Sequence, residues 1–433
     1  MMRHRRLVAA AAVLVTTALA AALSGCESTG GLGSARFVVT QLRSGIADPL
    51  AVSVDGLQPG QTAVISATAD VESGRYHSRA VYTVPPDGAV SLWNARPLLA
   101  PFSKPDPAGL IWSLDGPSQS QGELEAAWAN DDVNIRLTAT QNGRQVAATT
   151  IHRTGFAHQI STRAIFAGDL IRTTDGGSPG GTTYDVRIGT YYERDPNPAA
   201  SRPAVVLIDG DDGGGSAAFT AAQLASIGFS TFVLPAFGPE GQIPGSSALS
   251  VESFDLAVSW LRLQPTVDSA RIFTFGTWRA SQLALWFASN QPEQIYGAIA
   301  ASGTTALLCT SSALTPVLTA NGLPVPCEDP SRTIADTAQL RLDRIRGPVM
   351  LACGEKDEIL ANACDWLAAG RTVRGGRPGD VFTVEPGAAH SISTPPIVPV
   401  GLQNLSTATA QATEDARVEF WARVTEVLQF AAR

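Results

Sequence analysis

Lysine is nearly missing from this chain. Of its 31 basic residues only Lys104 and Lys356 are lysines, so arginine carries almost all the positive charge. We read that as the compositional bias of the source genome, not as a binding feature. A basic excess is missing too: 39 acidic residues against 31 basic ones leave a formal net charge of −8. Nucleic-acid binding needs a basic face, so that class is set aside. Beyond the N-terminus no stretch is apolar for the ~20 residues that a membrane span requires. No internal repeat is visible, and neither a metal nor a cofactor is expected. Histidine is scarce, and His390 is the only one after His158. The most informative absence is a serine or cysteine at one position, described below.

What is present begins with a processing segment. Arg3, Arg5 and Arg6 precede an apolar run from Leu7 to Leu23, and Leu23-Ser24-Gly25-Cys26 follows. Such a segment is removed before any fold argument. The spacing resembles a bacterial lipobox, with Cys26 acylated and becoming the first mature residue. An ordinary signal peptide or a membrane anchor with an incidental cysteine is the plainer alternative. Residues 1–26 are therefore read as a lipoprotein signal peptide and residues 27–36, rich in Ser, Gly and Thr, as a tether. Export onto the outer face of the cell membrane is the expectation. Four cysteines remain: Cys309, Cys327, Cys353 and Cys364. An even number in an exported chain suggests disulfides rather than free thiols. Of the three possible pairings, the locally closed one, Cys309–Cys327 and Cys353–Cys364, is expected.

Residues 37–163 read as β-structure. Val133, Ile135, Leu137 and Ala139 alternate with polar neighbours, as in a half-buried strand. Turn signals at Gly56–Gly60, Pro85–Gly88 and Asn142-Gly143 punctuate short strands, which suggests a β-sandwich. Residues 164–433 change period. Ala204–Ile208 is a continuous apolar run, as expected of a strand buried on both faces. Phe254, Ala257, Val258 and Leu261 share a helical face. Val418, Trp421, Val424 and Leu428 stripe a closing helix that Thr413 could cap. Strands alternating with helices imply a parallel sheet with right-handed crossovers, so the fold class is α/β.

Phe275-Gly276-Thr277-Trp278-Arg279-Ala280-Ser281 sits where a strand should turn into a helix. Far downstream come Gly354-Glu355-Lys356-Asp357 and then His390. Turn, then acid, then histidine is the order of an α/β-hydrolase triad. The elbow of that fold reads G-x-S-x-G, but the nucleophile slot holds Trp278 and the closing glycine is Ala280. Oxyanion donors are expected from the backbone of Arg279 and from the Asp209–Gly213 loop, at Gly210 and Asp211. Asp357 is the candidate acid, though an Asp after a strand is also a common turn residue. His390 is the candidate base, though a lone histidine is often structural. Ser281, about one helical turn past the elbow, is a tentative replacement nucleophile; there its hydroxyl can equally bond backbone.

Gly56-Leu57-Gln58-Pro59-Gly60-Gln61 and Ala108-Gly109-Leu110-Ile111-Trp112-Ser113-Leu114 resemble the N-terminal domain of acyl-CoA thioesterases of the bile acid-CoA:amino acid N-acyltransferase family. Ala204–Gly214, Phe275–Phe287, Gly354–Asp357 and Pro386-Gly387-Ala388-Ala389-His390 with Pro395-Pro396 resemble its α/β-hydrolase domain. The resemblance implies an immunoglobulin-like sandwich packed on an α/β-hydrolase. It implies a covalent acyl-enzyme released to water or to an amino acid, with the nucleophile at the position of Trp278, the acid at Asp357 and the base at His390.

Two functional classes follow. One is a hydrolase or acyltransferase of acyl esters or thioesters, with an unusual nucleophile or with His390 activating water. The other is a catalytically dead lipoprotein that uses the inherited cleft for a ligand or its sandwich for a partner. In that second class the indole should fill the former acyl pocket or form its floor.

Overall fold

A computed structural model describes residues 34–433 except 47, 73, 118–123, 126, 129–131, 157–159, 170–186, 195–200, 211–214, 237–247, 311–313 and 403–404. The lipobox, with Cys26, and most of the tether lie outside the described residues.

Two sheets build the N-terminal unit. One holds β1 (Arg36–Val39), β3 (Val52–Asp55) and β6 (Val90–Ser91). The other has the order β2-β8-β7-β4-β5, with β2 (Arg43–Gly45), β4 (Thr62–Val71), β5 (Gly74–Thr83), β7 (Val133–Gln141) and β8 (Arg144–Thr154). The alternation in β7 is as the sequence suggests: Val133, Ile135, Leu137 and Ala139 all point inward. Asn142-Gly143 joins β7 to β8 with φ of 49° and 71°, the paired positive values of a tight hairpin turn. The short helix Gly109–Trp112 plugs the unit. Trp112 is fully buried and its indole N–H donates to Asp106 Oδ2 at 2.8 Å.

The second unit is an eight-stranded sheet ordered β19-β18-β15-β14-β11-β12-β10-β9. In chain order these are β9 (Ile160–Phe166), β10 (Arg187–Arg194), β11 (Arg202–Asp209), β12 (Thr231–Pro235), β14 (Val267–Thr277), β15 (Gly297–Ala301), β18 (Val349–Gly354) and β19 (Val381–Glu385). β10 runs antiparallel to both of its neighbours, and every other pairing is parallel. Counting these strands from one to eight gives the order 1-2-4-3-5-6-7-8 with the second reversed, which is the α/β-hydrolase sheet. Ala204–Ile208 in β11 is buried throughout, as its unbroken apolar run requires.

Several expectations shift. The boundary expected between residues 163 and 164 falls inside β9, which pairs with β10 in the second sheet. Both sides of that boundary are β, and β9 is a largely exposed edge strand, so no change of period marks the junction. Thr413 does not cap the closing helix Thr407–Ala431; Ser406 does, accepting from Thr409 N at 3.1 Å. Of the expected stripe Trp421, Val424 and Leu428 are buried, whereas Val418 is 52% exposed and Phe420 and Val427 complete the buried face. Between β15 and β18 the chain makes an excursion. It includes β16 (Leu318–Ala320) and β17 (Leu323–Pro324), which form a small sheet with β13 (Leu249–Ser250). Both expected disulfides are present, Cys309–Cys327 with Cα atoms 5.1 Å apart and Cys353–Cys364 with 5.3 Å. Among the described residues no helix is long and apolar enough to cross a membrane.

Candidate active site

The site is built at the C-terminal ends of β14, β18 and β19. β14 ends at Thr277, Trp278 follows with φ 48° and ψ −117°, and the helix Arg279–Asn290 starts at the next residue. A non-glycine residue held there costs roughly 1–3 kcal/mol and persists only if its surroundings over-determine it. They do. Trp278 N–H donates to Ala301 O at 3.0 Å, and Ser281 N–H donates back to Trp278 O at 3.2 Å. Glycines let the chain fold this tightly: a side chain at Gly276 would run into the Ala280 carbonyl, and one at Gly303 into Ser281 Oγ. The backbone is thus a hydrolase elbow, bent to present whatever side chain it carries.

That side chain is an indole, partly exposed and flanked by two cationic or ionisable groups. The Arg279 guanidinium lies 4.3 Å from the indole centroid, a cation–π contact, and the His390 ring stands edge-on at 6.0 Å. The indole nitrogen's lone pair belongs to the aromatic system, so the ring cannot attack a carbonyl.

The candidate acid and the candidate base are in contact. His390 Nδ1 lies 2.8 Å from both carboxylate oxygens of Asp357. Asp357 is buried, and its Oδ1 also accepts from the N–H groups of Ile359 at 2.9 Å and Leu360 at 2.7 Å. With Nδ1 bound to Asp357, Nε2 is the nitrogen left for a proton transfer, the arrangement by which an acid orients a general base. The histidine's backbone is fixed too. Its N–H donates to Glu358 Oε2 at 3.0 Å and its carbonyl accepts from Ser302 Oγ at 2.7 Å. Thr413, expected to cap a helix, instead accepts from the N–H of Ala389 at 2.9 Å.

Ser281 is brought near the elbow but not to the base. It is buried, and its hydroxyl donates to Trp278 O at 2.7 Å and to Thr304 O at 3.4 Å. His390 is not among its partners within the described residues. It lines a small cavity behind the elbow with Leu285, Gly303, Thr304, Leu351 and Leu367. The two expected oxyanion donors that are described both lie at the elbow. Arg279 opens its helix, so its N–H is one the helix leaves unused. Gly210 abuts the elbow: a Cβ there would stand 3.0 Å from Ala280 N. Asp211 lies outside the described residues. No cluster of side chains suited to a metal occurs among the described residues.

The arrangement joins a histidine to a buried carboxylate beside a strained turn, with an aromatic ring at the tip of that turn. Residues 47–165 match the family described as "Acyl-CoA thioester hydrolase/BAAT N-terminal region". The chain is 25% identical over 268 residues to acyl-coenzyme A thioesterase 1 of Rattus norvegicus, covering 60% of this chain and 59% of that protein. It is equally identical to the mitochondrial acyl-coenzyme A thioesterase 2 of Mus musculus, covering 55% of that protein. The chain thus spans rather more than half the length of these relatives. Among solved structures, a Pyrobaculum calidifontis esterase is similar at 17% identity and a TM-score of 0.41, over 64% of this chain and 89% of that one. A bacterial heroin esterase is similar at 15% identity and a TM-score of 0.40, over 64% of this chain and 86% of that one. The N-terminal match and the thioesterase relatives together make the chain similar to the acyl-CoA thioesterase/BAAT family.

Proposed function

We propose that this protein is a lipid-anchored member of its family on the outer face of the membrane, binding acyl esters or thioesters at the elbow without forming an acyl-enzyme. The observation that carries the reading is Trp278 at φ 48° and ψ −117°, directly beside an intact Asp357–His390 pair. The covalent route needs a nucleophile at that tip, and removing one typically costs several orders of magnitude in rate. Similarity to acyl-coenzyme A thioesterases supports an acyl ester or thioester as ligand. The two disulfides support an oxidising compartment, and the lipobox-like segment ending at Cys26 supports the anchor.

A second reading is favoured by the hold of Asp357 on Nδ1. Nε2 of His390 would take a proton from water as the oxygen attacks the thioester carbonyl. The N–H groups of Arg279 and Gly210 would hold the developing oxyanion. Collapse would break the C–S bond, and the imidazolium would return its proton to the departing thiolate. The deciding experiment incubates purified wild type with a fluorophosphonate probe and with acyl thioesters. Binding without labelling or turnover is expected. Turnover lost in His390→Ala, without labelling, would replace the binding reading with direct water attack. Covalent labelling would sink both.

A further inference from the structure

We propose that Glu125 of the N-terminal unit, together with Thr394, Arg417 and Glu414, forms a mount that positions His390, so that the N-terminal unit is part of the base's support. The proposal rests on the reading that Asp357 and His390 keep the geometry of an acid–base pair, whether or not wild type turns substrate over.

The chain after His390 lacks regular structure up to Val400, yet much of it is buried, with Ile392, Thr394, Val398 and Val400 inside. Buried backbone groups outside helices and sheets need partners from elsewhere. Here charged side chains supply them. Arg417, fully buried, donates through Nε to Ser391 O at 3.0 Å, through Nη2 to Ser391 Oγ at 3.0 Å and through Nη1 to Val398 O at 3.3 Å. Glu414 Oε1 accepts from Ile397 N at 2.8 Å. The Trp421 indole donates to Ser393 O at 3.1 Å. From the N-terminal unit, Glu125 Oε1 accepts from Thr394 Oγ1 at 2.7 Å and Trp112 O accepts from Val400 N at 2.9 Å.

The cost of this arrangement argues for a purpose. Burying an ion costs several kcal/mol unless its bonds are well made, and an apolar replacement is often as stable. Arg417 and Glu125 are each at most 1% exposed, and the Glu414 carboxyl is buried beside Arg417. Ile397, a β-branched residue, is held at φ 71°, a backbone outlier that the Glu414 bond helps to fix. Strain and buried charge are gathered on the ten residues that follow His390. Arg417 reaches the first of them, Ser391, with two of its nitrogens. A displacement of that residue moves the imidazole against Asp357.

The test uses the full chain in detergent with selectively ¹⁵N-labelled histidine, the His390 signals being assigned from His390→Asn. Thr394→Val removes one hydroxyl at nearly constant shape. It should change the His390 tautomer ratio and titration midpoint, and Thr394→Ser should restore both. Thr138→Val, an ordinary strand substitution in the N-terminal unit, should change neither. In a Trp278→Ser background that has gained activity, Thr394→Val should lower kcat about tenfold with KM nearly unchanged, as misplaced catalytic groups do. A Thr394→Val protein with lowered Tm but an unchanged His390 titration would overturn the mount. A mount confirmed by NMR in a protein that neither binds nor turns over acyl thioesters would leave the mount standing and remove the functional reading beneath it.

Discussion

The His390 imidazole meets the Trp278 indole edge to face, ring centroids 6.0 Å apart and planes at 86°. A base therefore stands beside the position from which it would draw a nucleophile's proton, with an indole in that place. Replacing the indole by a hydroxyl should let the machinery run. Trp278→Ser is expected to hydrolyse activated acyl esters at least about a hundredfold faster than wild type, given what a serine nucleophile contributes. The gain should vanish in Trp278→Ser/His390→Ala. A Trp278→Ser protein that folds normally yet stays inert would show that the oxyanion loop no longer serves.

Ser281 supplies a control in the same turn. Its hydroxyl is bonded to the backbone oxygens of Trp278 and Thr304. Ser281→Ala should lower Tm slightly, by the roughly 1 kcal/mol of a lost buried hydrogen bond, and leave any wild-type turnover unchanged. Loss of turnover with Tm preserved would instead make Ser281 the nucleophile.

Glu414 predicts a pH effect. Burial pushes its carboxyl up to about 8 against an ordinary 4.5, with Arg417 opposing. Between those values the folded chain holds a proton that the unfolded chain has released, so this group makes stability fall as pH rises through that window. Glu414→Gln stays neutral throughout and keeps an acceptor for Ile397 N–H. The Tm of Glu414→Gln minus that of wild type should therefore grow from pH 5 to pH 8. A difference independent of pH would contradict the protonated state.

The disulfides bear on stability unequally in consequence. Each closes a short loop, worth roughly 3 kcal/mol in the chain-entropy model. Asp357 lies inside the loop closed by Cys353 and Cys364. Cys353→Ser/Cys364→Ser should lower Tm and, in the Trp278→Ser background, also lower kcat. Cys309→Ser/Cys327→Ser should lower Tm alone. Equal effects on kcat would mean the Cys353–Cys364 link does nothing for the acid.

For the anchor, Cys26→Ala should abolish acyl incorporation and release the protein from membranes. Metabolic labelling with a palmitate analogue, followed by fractionation, checks this. Membrane retention without any acyl modification of wild type would remove the lipid from the reading.

Much of this architecture was legible because it rests on local patterns. The apolar run Ala204–Ile208, the helical face of Phe254 and Leu261, and the order Trp278, Asp357, His390 each follow from period or spacing. Both cysteine pairs were legible because they are local. What was hidden depends on distant contacts. Nothing near Thr413 in sequence says that it will hold Ala389 and leave the cap to Ser406. The bond from Ser302 to the His390 carbonyl joins residues 88 apart in the chain. Glu125 meets Thr394 across 269 residues. Tertiary partners of that kind carry no periodic signal.

The bend at Trp278 also has a genetic consequence. Tryptophan has a single codon, and one base change converts it to a serine or a cysteine codon. The turn is already shaped to present either side chain, and Asp357 and His390 are already joined. On the binding reading proposed above, a point mutation would give this locus a nucleophile without any rearrangement of the backbone. The site is less a ruin than a reversible lock, and a selection for growth on an acyl ester would find its key in the Trp278 codon.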